Sequence, residues 1–322
     1  MDAIIGNTGF VGGHLIRQHL FEGQFNTRNI NESEEGSFST VVCAATPGSM
    51  FEANKFPDRD YAKIENLIDK LAKIEADTFV LISSIAVLEN YSGQDDEGTE
   101  AFQTNTAYGR NRRELEVFCA SNFKRCSILR LPALYGMSLK KNFLFDLLNP
   151  IPTMLTETKF VMLRNSVPRD LVQTLTRAYS WNDAVKMYLV DRVFLLASGQ
   201  LAALVSEFAE RDLTAVHFTN PQSSFQFYNI NGLWSDIEIC LSNNLPLLHL
   251  APEPVSAGLI HERLIGRQMP DTGARVHCEN MYTRYAKLWN RTGCYMDDSE
   301  SVLDKVEAFF CIEKARHEAC RI

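Results

Sequence analysis

Met1-Asp-Ala-Ile-Ile-Gly-Asn-Thr-Gly-Phe-Val-Gly-Gly13 carries three structural signals in one short stretch. Ala3-Ile4-Ile5 is an apolar run of the kind a buried parallel strand requires. Glycines at 6, 9 and 12 follow at once, and then His14-Leu-Ile-Arg-Gln-His-Leu-Phe21, whose apolar residues recur at helical spacing. Strand, glycine turn and helix N-terminus in that order make an anion site. The turn lets the backbone approach a pyrophosphate, and unpaired N–H groups with the helix dipole favour its negative charge. Glycines alone mark an ordinary tight turn; set between a strand and a helix they point to a dinucleotide.

Further along, the same alternation repeats. Phe25-Asn-Thr-Arg-Asn-Ile30 reads as a short second strand, whose end meets the adenosine ribose in this kind of fold. Arg28 there could pair with a 2′-phosphate, and acids come only at Glu32, Glu34 and Glu35, so the reading leans to NADP over NAD. Ser39-Thr-Val-Val-Cys-Ala-Ala45 is a buried strand ending in small residues, which let a cofactor lie close above Ala44 and Ala45. Ile64, Leu67, Ile68, Leu71 and Ile74 mark an amphipathic helix, and Thr78-Phe-Val-Leu-Ile-Ser-Ser84 another buried strand. Ser92 to Thr106 reads as a polar loop with Asp95-Asp96-Glu97 as its solvated surface. A helix containing Tyr108–Phe118 and a strand Cys126–Pro132 complete a parallel sheet wound on both faces.

The pattern changes after about residue 137. Residues 139–211 are mostly helix-prone, strand-like segments return at Ala215–Phe218 and Phe225–Ile230, and a helix starts near Leu233, before Leu248–Val255 and a helix-prone tail. The expected organisation is a dinucleotide-binding domain over 1–137 and a smaller mixed C-terminal lobe over 138–322, some of which can return to the sheet. The lobe contains a helical insertion at about 150–212, too long for structureless loop.

Hydrophobic residues at 45% and charged residues at 22% allow a sizeable core. A net charge of −8 argues against a nucleic-acid partner, which calls for a basic face, while Arg110, Arg112 and Arg113 leave room for a small anionic substrate. No apolar run is long enough to span a bilayer, so no membrane partner is expected. The first strand begins at once with no export signal, and the expected location is the cytoplasm. Eight cysteines without a CxxC pair read as reduced thiols, and seven histidines without ligand spacing imply no metal.

A second constellation combines Ser84, at a strand's C-terminal end, with Tyr108 and Arg112, one helical turn apart. A cation beside the phenol stabilises phenolate, making Tyr108 a usable acid or base near neutrality, and a serine hydroxyl can polarise the same carbonyl or alcohol. The bland alternative is an amphipathic helix with an exposed arginine and a half-buried tyrosine.

With these residues in view, the chain resembles the extended short-chain dehydrogenases/reductases, the NAD-dependent epimerase/dehydratase family that works on nucleotide sugars. Gly6-Asn-Thr-Gly-Phe-Val-Gly12 is similar to that family's GxxGxxG turn, and Ile82-Ser-Ser-Ile-Ala-Val87 to its serine-bearing strand. Tyr108-Gly-Arg-Asn-Arg112 resembles YGxSK and Arg130-Leu-Pro-Ala-Leu-Tyr-Gly136 resembles RxxNVYG; Phe227–Leu233 and Glu253–Ser256 are looser echoes of FIYVDDL and a late PVS turn.

The resemblance implies a Rossmann-like doubly wound α/β sheet with a smaller mixed α/β substrate lobe. It also implies an NAD(P)-dependent oxidoreductase or epimerase acting on a nucleotide sugar or related hydroxyl/keto compound. Ser84, Tyr108 and Arg112 would be catalytic. The cofactor would lie on Gly6, Gly9, Phe10, Val11 and Gly12, on Arg28, Ala44 and Ala45, and on Tyr108, Arg112 and Pro132.

The departures are as informative. Arginine stands at 112 for the family's lysine, Asn111 for its serine, Ala133 for its asparagine, and Asn231 and Gly232 for two aspartates. Ile85 and Ala86 follow Ser84 where dehydratases carry an Asp-Glu pair, so elimination of water is the least expected reaction. A catalytically weak dinucleotide-binding sensor or scaffold is the alternative. Substrate identity, epimerisation against net reduction, and oligomeric state, with a homodimer among the options, stay open.

Overall fold

β1 (Asp2–Ile5) buries Ala3, Ile4 and Ile5 and passes through the glycine turn into α1 (Phe10–Gln18), in a computed structural model that describes residues 1–319. The elements that follow are β2 (Gly23–Phe25), β3 (Ser37–Cys43), α2 (Met50–Lys55), α3 (Pro57–Leu71) and β4 (Glu75–Ser84). Then come α4 (Ala107–Asn122), β5 (Cys126–Leu131) and β6 (Ala133–Tyr135). Later in the chain, β7 (Phe227–Asn229), α5 (Leu233–Ser242) and β8 (Leu247–His249) join the same unit.

Among the described residues the main sheet has six strands in the order β8-β5-β4-β3-β1-β2, each pair parallel. Its register pairs Ile5 with Phe25 on one side and with Cys43 on the other, and Ser84 with Leu131. The order reverses between β1 and β3, and such a reversal opens a crevice above the strands' C-terminal ends.

The continuous apolar runs have a simple cause: the sheet is buried on both faces. Ile5, Val41, Cys43, Phe79 and Leu81 pack with Ile64, Leu67 and Leu71 of α3 and Leu115 and Cys119 of α4. The alternate residues Ile4, Val42, Val80 and Ile82 pack with Leu15 of α1 and with Leu233, Ile237 and Cys240 of α5. A two-stranded parallel ribbon of β6 and β7 pairs Ala133 with Phe227 and Tyr135 with Asn229. His14 of α1 bonds to Asn231 Oδ1 through Nδ1 (3.1 Å) and to the Met137 carbonyl through Nε2 (2.9 Å), tying the first helix to the segments after β6 and β7.

The described chain forms two compact units: 1–139 with 224–255 and 278–306, and 140–223 with 256–277 and 307 onward. The second unit has its own core of Ile151, Leu155, Phe160, Leu163, Leu171, Leu175, Leu195, Leu204 and Phe208. Its helices include Arg169–Ala178, Arg192–Ala197 and Leu201–Ala209, the last two parted at Gly199 with φ +68°.

Four expectations are corrected. The second strand is Gly23–Phe25, and Ile30–Glu35 forms a 3-10 helix, because Asn26 Oδ1 accepts from Arg28 N–H in an Asx turn and Asn29 Oδ1 accepts from Asn26 N–H just after Phe25. Ala215–Phe218 is a 3-10 turn preceded by Thr214, whose Oγ1 bonds His217 Nδ1 at 2.7 Å. The 150–212 segment also carries an antiparallel sheet in which Met187–Val190 lies between Met154–Leu155 and Tyr179–Asn182. Glu97 is no solvated acid: it accepts from His249 N (2.9 Å), Thr283 Oγ1 (2.7 Å) and Arg284 N (2.8 Å), pinning the 92–106 loop.

Among the described residues no helix is long and apolar enough to cross a membrane, and no cluster of three or more His, Cys, Asp or Glu is placed to hold a metal. Cys43, Cys119, Cys126, Cys240, Cys278, Cys294 and Cys311 are free thiols; Cys320 lies outside the described residues.

Candidate active site

The glycine turn stands at the C-terminal end of β1. Gly6 has φ +95°, and a Cβ there would lie 2.7 Å from the Ala44 carbonyl carbon and the Ala45 nitrogen, so only glycine lets the turn lie against the end of β3. Its N–H donates to Phe25 O (2.7 Å), and Gly9 N–H donates to Gly6 O (3.0 Å). Gly9 then caps α1 with no side-chain hydrogen bond from the described residues, which leaves first-turn N–H groups for an anion. A Cβ on Gly12 would lie 2.1 Å from Gly6 O, so the helix starts in direct contact with the turn. Phe10 and Val11 are half-buried beside it. This backbone cradle fits a pyrophosphate.

From Ala44 and Ala45 the chain continues through Thr46 and Pro47 into α2, and here it meets α4. Arg112 donates from its Nη2 to the Pro47 carbonyl, and Tyr108 N–H donates to Asn54 Oδ1 at 2.9 Å. Gly109 brings α4 against the turn after β4: a Cβ there would lie 2.0 Å from Ala86 O. That approach sets Tyr108 beside Ser84, near enough for the serine hydroxyl to favour the phenolate. Ser84 Oγ also accepts from Ala86 N–H at 3.2 Å. The structure thus brings the glycine turn, Ala44, Ala45, Ser84, Tyr108 and Arg112 onto the C-terminal ends of β1, β3 and β4. Pro132 is buried between β5 and β6, and Arg28 is exposed just after β2 with its N–H on Asn26 Oδ1 (3.0 Å).

Arg112 is only 1% exposed, and its guanidinium carbon lies 3.9 Å from the centre of the Tyr108 ring. Its terminal nitrogens are committed elsewhere. Nη2 donates to Asp60 Oδ1 (3.0 Å), Nη1 donates to Asp60 Oδ2, and Nη1 also reaches Tyr108 O at 3.3 Å. Nε–H is buried without a partner among the described residues, as is the Thr46 hydroxyl. Asn111, fully buried, donates from Nδ2 to the same Asp60 Oδ2 at 2.9 Å.

Burial raises the Tyr108 phenol above its ordinary value, outweighing the nearby Arg112 charge and Ser84 hydroxyl, while Asp60 adds to the upward shift. The cation is beside the phenol as expected, but it does not make Tyr108 acidic, because desolvation of a phenolate costs more than a carboxylate-paired guanidinium returns. The three arginines of α4 do not form one anion site. Arg110 is exposed, Arg112 is on Asp60, and Arg113 donates to Glu116 Oε2 at 2.9 Å.

No family model matches the chain, and no curated protein matches it. Solved structures do. A dTDP-4-dehydrorhamnose reductase from Bacillus anthracis strain Ames, in complex with NADP, aligns with a TM-score of 0.60 at 13% identity, covering 96% of this chain and 97% of that one. The Bacillus cereus UDP-glucuronic acid 4-epimerase, as a Tyr-to-Phe mutant with NAD and a fluorinated UDP-glucuronic acid, aligns at 0.59 and 14% identity over 96% and 98%. Thermotoga maritima UDP-glucose 4-epimerase, with UDP-glucose, aligns at 0.56 and 12% identity over 99% and 100%. The chain shares their fold. At 12–14% identity the likeness is one of architecture across nearly the whole of each chain.

Within that architecture, the residue missed by motif reading is Asp60. A signal for it was present: Asp60 falls on the same face of α3 as Ile64, Leu67 and Leu71, all buried. An acid on an apolar stripe calls for a buried cation, and Arg112 on α4 is that cation. Asn54 was equally silent, because a single asparagine in a short helix has no distinguishing context.

Proposed function

We propose that the protein is an NAD(P)-dependent oxidoreductase or epimerase acting on a nucleotide sugar or a related hydroxyl/keto compound. The observation that carries this reading is the placement of Tyr108 beside Ser84 at the strand ends that also carry the glycine cradle. A bound nicotinamide dinucleotide supplies or accepts the hydride. Tyr108 Oη exchanges the proton with the substrate oxygen, and Ser84 Oγ holds that oxygen by a hydrogen bond. Gly6, Gly9, Phe10, Val11 and Gly12 receive the pyrophosphate, and Ala44, Ala45 and Pro132 border the rings. Arg112 flanks the phenol and has its Nε–H left for a ligand oxygen. The solved neighbours hold NADP in one case and NAD in another, so either form suits the fold, and Arg28 favours the 2′-phosphate.

Calorimetric titration with the four nicotinamide dinucleotides tests the first half of the proposal. A panel of dTDP- and UDP-linked hydroxyl and keto sugars then tests the second. Tyr108→Phe is expected to keep dinucleotide binding and to lower turnover by about 10²-fold or more. Binding without turnover across the panel supports the second reading, a dinucleotide sensor. That reading has its own observation in the commitment of Arg112 to Asp60, which takes the cation's terminal donors away from any ribose.

A further inference from the structure

We propose that Asp60 is a positioning residue: by holding Arg112 on both terminal nitrogens it offsets the cation beside Tyr108, keeps the phenol a proton donor, and sets the site for carbonyl reduction over alcohol oxidation. This rests on the oxidoreductase reading above and gives it a direction.

The geometry is specific. Asp60, 5% exposed on α3, accepts from Nη1 and Nη2 of Arg112 and from Nδ2 of Asn111. The guanidinium is thereby held 3.9 Å from the Tyr108 ring centre, with the Pro47 and Tyr108 carbonyls filling its remaining terminal N–H positions. A lone cation at that position would stabilise phenolate strongly in a buried setting. A cation with a carboxylate in two-point contact acts on the phenol as a dipole, whose field falls off faster with distance. The other groups facing Tyr108 are the Ser84 hydroxyl and the Tyr91 phenol, neither of them a compensating cation. Burial of Tyr108 works in the same direction as Asp60.

The chemical consequence follows from the proton balance. Reducing a carbonyl adds a hydride, from the reduced dinucleotide, to carbon, and a proton, from Tyr108 Oη, to oxygen; the dinucleotide leaves oxidised and the phenolate regains its proton from water. A neutral phenol is ready for this at any ordinary pH. Oxidising an alcohol needs phenolate to take the O–H proton, and that form is scarce when the phenol is held neutral. Epimerisation through a keto intermediate begins with such an oxidation and is disfavoured with it.

The test reads Tyr108 directly in the ligand-free protein. Tyrosines are labelled with carbon-13 at Cζ, the Tyr108 resonance is identified by its loss in Tyr108→Phe, and each variant is titrated. In the wild type Tyr108 is expected to ionise above the ordinary phenol value. In Asp60→Asn its midpoint is expected to fall by about one pH unit or more, and Asp60→Glu to restore it. At neutral pH that shift gives about tenfold more phenolate, read as an acidward move of the pH profile for alcohol oxidation.

A folded Asp60→Asn that titrates with the wild type overturns the proposal. If Asp60→Asn does not fold, Arg112→Gln and the double variant Asp60→Asn/Arg112→Gln decide. The single variant, with the carboxylate left unopposed, is expected to titrate higher than the double, and equal midpoints overturn the proposal. Because this readout needs no dinucleotide, failure to bind one would sink the oxidoreductase reading and leave the ionisation result standing.

Discussion

At residue 12 a single hydrogen separates a working cradle from a blocked one. A methyl group there would approach Gly6 O to 2.1 Å and Gly6 C to 2.7 Å, and backbone atoms cannot swing aside as a side chain can. Gly12→Ala is therefore expected to cost about 1–3 kcal/mol in stability, from overpacking, and to weaken dinucleotide binding at least tenfold by moving the α1 N-terminus off the turn. Urea unfolding and calorimetric titration of the same preparation check the two effects; an alanine variant that binds normally would show that the turn is no cofactor site. Arg112→Lys makes the opposite point about charge. Lysine keeps the cation but has a single nitrogen, which cannot meet both Asp60 oxygens and the two carbonyls that Arg112 serves. Lysine at 112 is thus expected to lose about 1–3 kcal/mol and to lower activity, where a merely degenerate site would gain activity from it.

β1, β3 and β4 were legible because their central residues are buried on both faces and read as apolar runs, whereas β2, with Gln24 exposed, has no such run; α3 was legible because its apolar residues recur at one helical face. α4 was only half legible. Its buried face contains Asn111, Arg112 and Glu116 beside Leu115 and Cys119, so polarity gives no sign of which side is inside. Glu116 is fully buried and accepts from Arg130 Nε (3.0 Å) and Nη2 (2.7 Å) of β5, from Ser83 Oγ (2.6 Å) of β4 and from Arg113. Those partners hold its carboxyl below the usual carboxylate range against the opposing effect of burial. The Ser84–Tyr108 geometry depends on this seam, since α4 and β4 are the two elements it joins. Glu116→Ala leaves Arg130 buried without its carboxylate and is expected to destabilise by about 3–5 kcal/mol. Thermal melts measure the loss, and a variant as stable as wild type would mean that the seam does not hold α4 on β4. The short strands around Trp181 and Tyr188 were illegible for another reason: their side chains do not alternate cleanly between buried and exposed, so no period-2 pattern appears.

Across the whole molecule, the glycine turn and the Ser84–Tyr108 pair lie in one unit, while residues 151–213 build the core of the other. The second unit carries a carboxyl whose titration reports on it. Asp146, in the helix Phe143–Leu148, is pushed up from 3.8 to about 7 by burial, only partly opposed by Arg192. The reason is visible in where Arg192 spends its donors: Nη2 bonds Ile151 O and Thr153 Oγ1, both at 2.9 Å, and the guanidinium lies 5.0 Å from the Phe145 ring centre. A carboxyl with a raised folded-state pKa holds its proton more tightly in the native than in the unfolded chain. Its contribution to stability is complete below about pH 4, declines as pH rises, and is gone above about pH 7. Asp146→Asn removes that titration without removing the side-chain volume. The difference in melting temperature, wild type minus variant, is therefore expected to fall steadily between about pH 4 and pH 7 and to level off above. Calorimetry in buffers of matched ionic strength measures it, and a difference that stays flat across that window would mean that Asp146 binds its proton alike in the folded and unfolded chain.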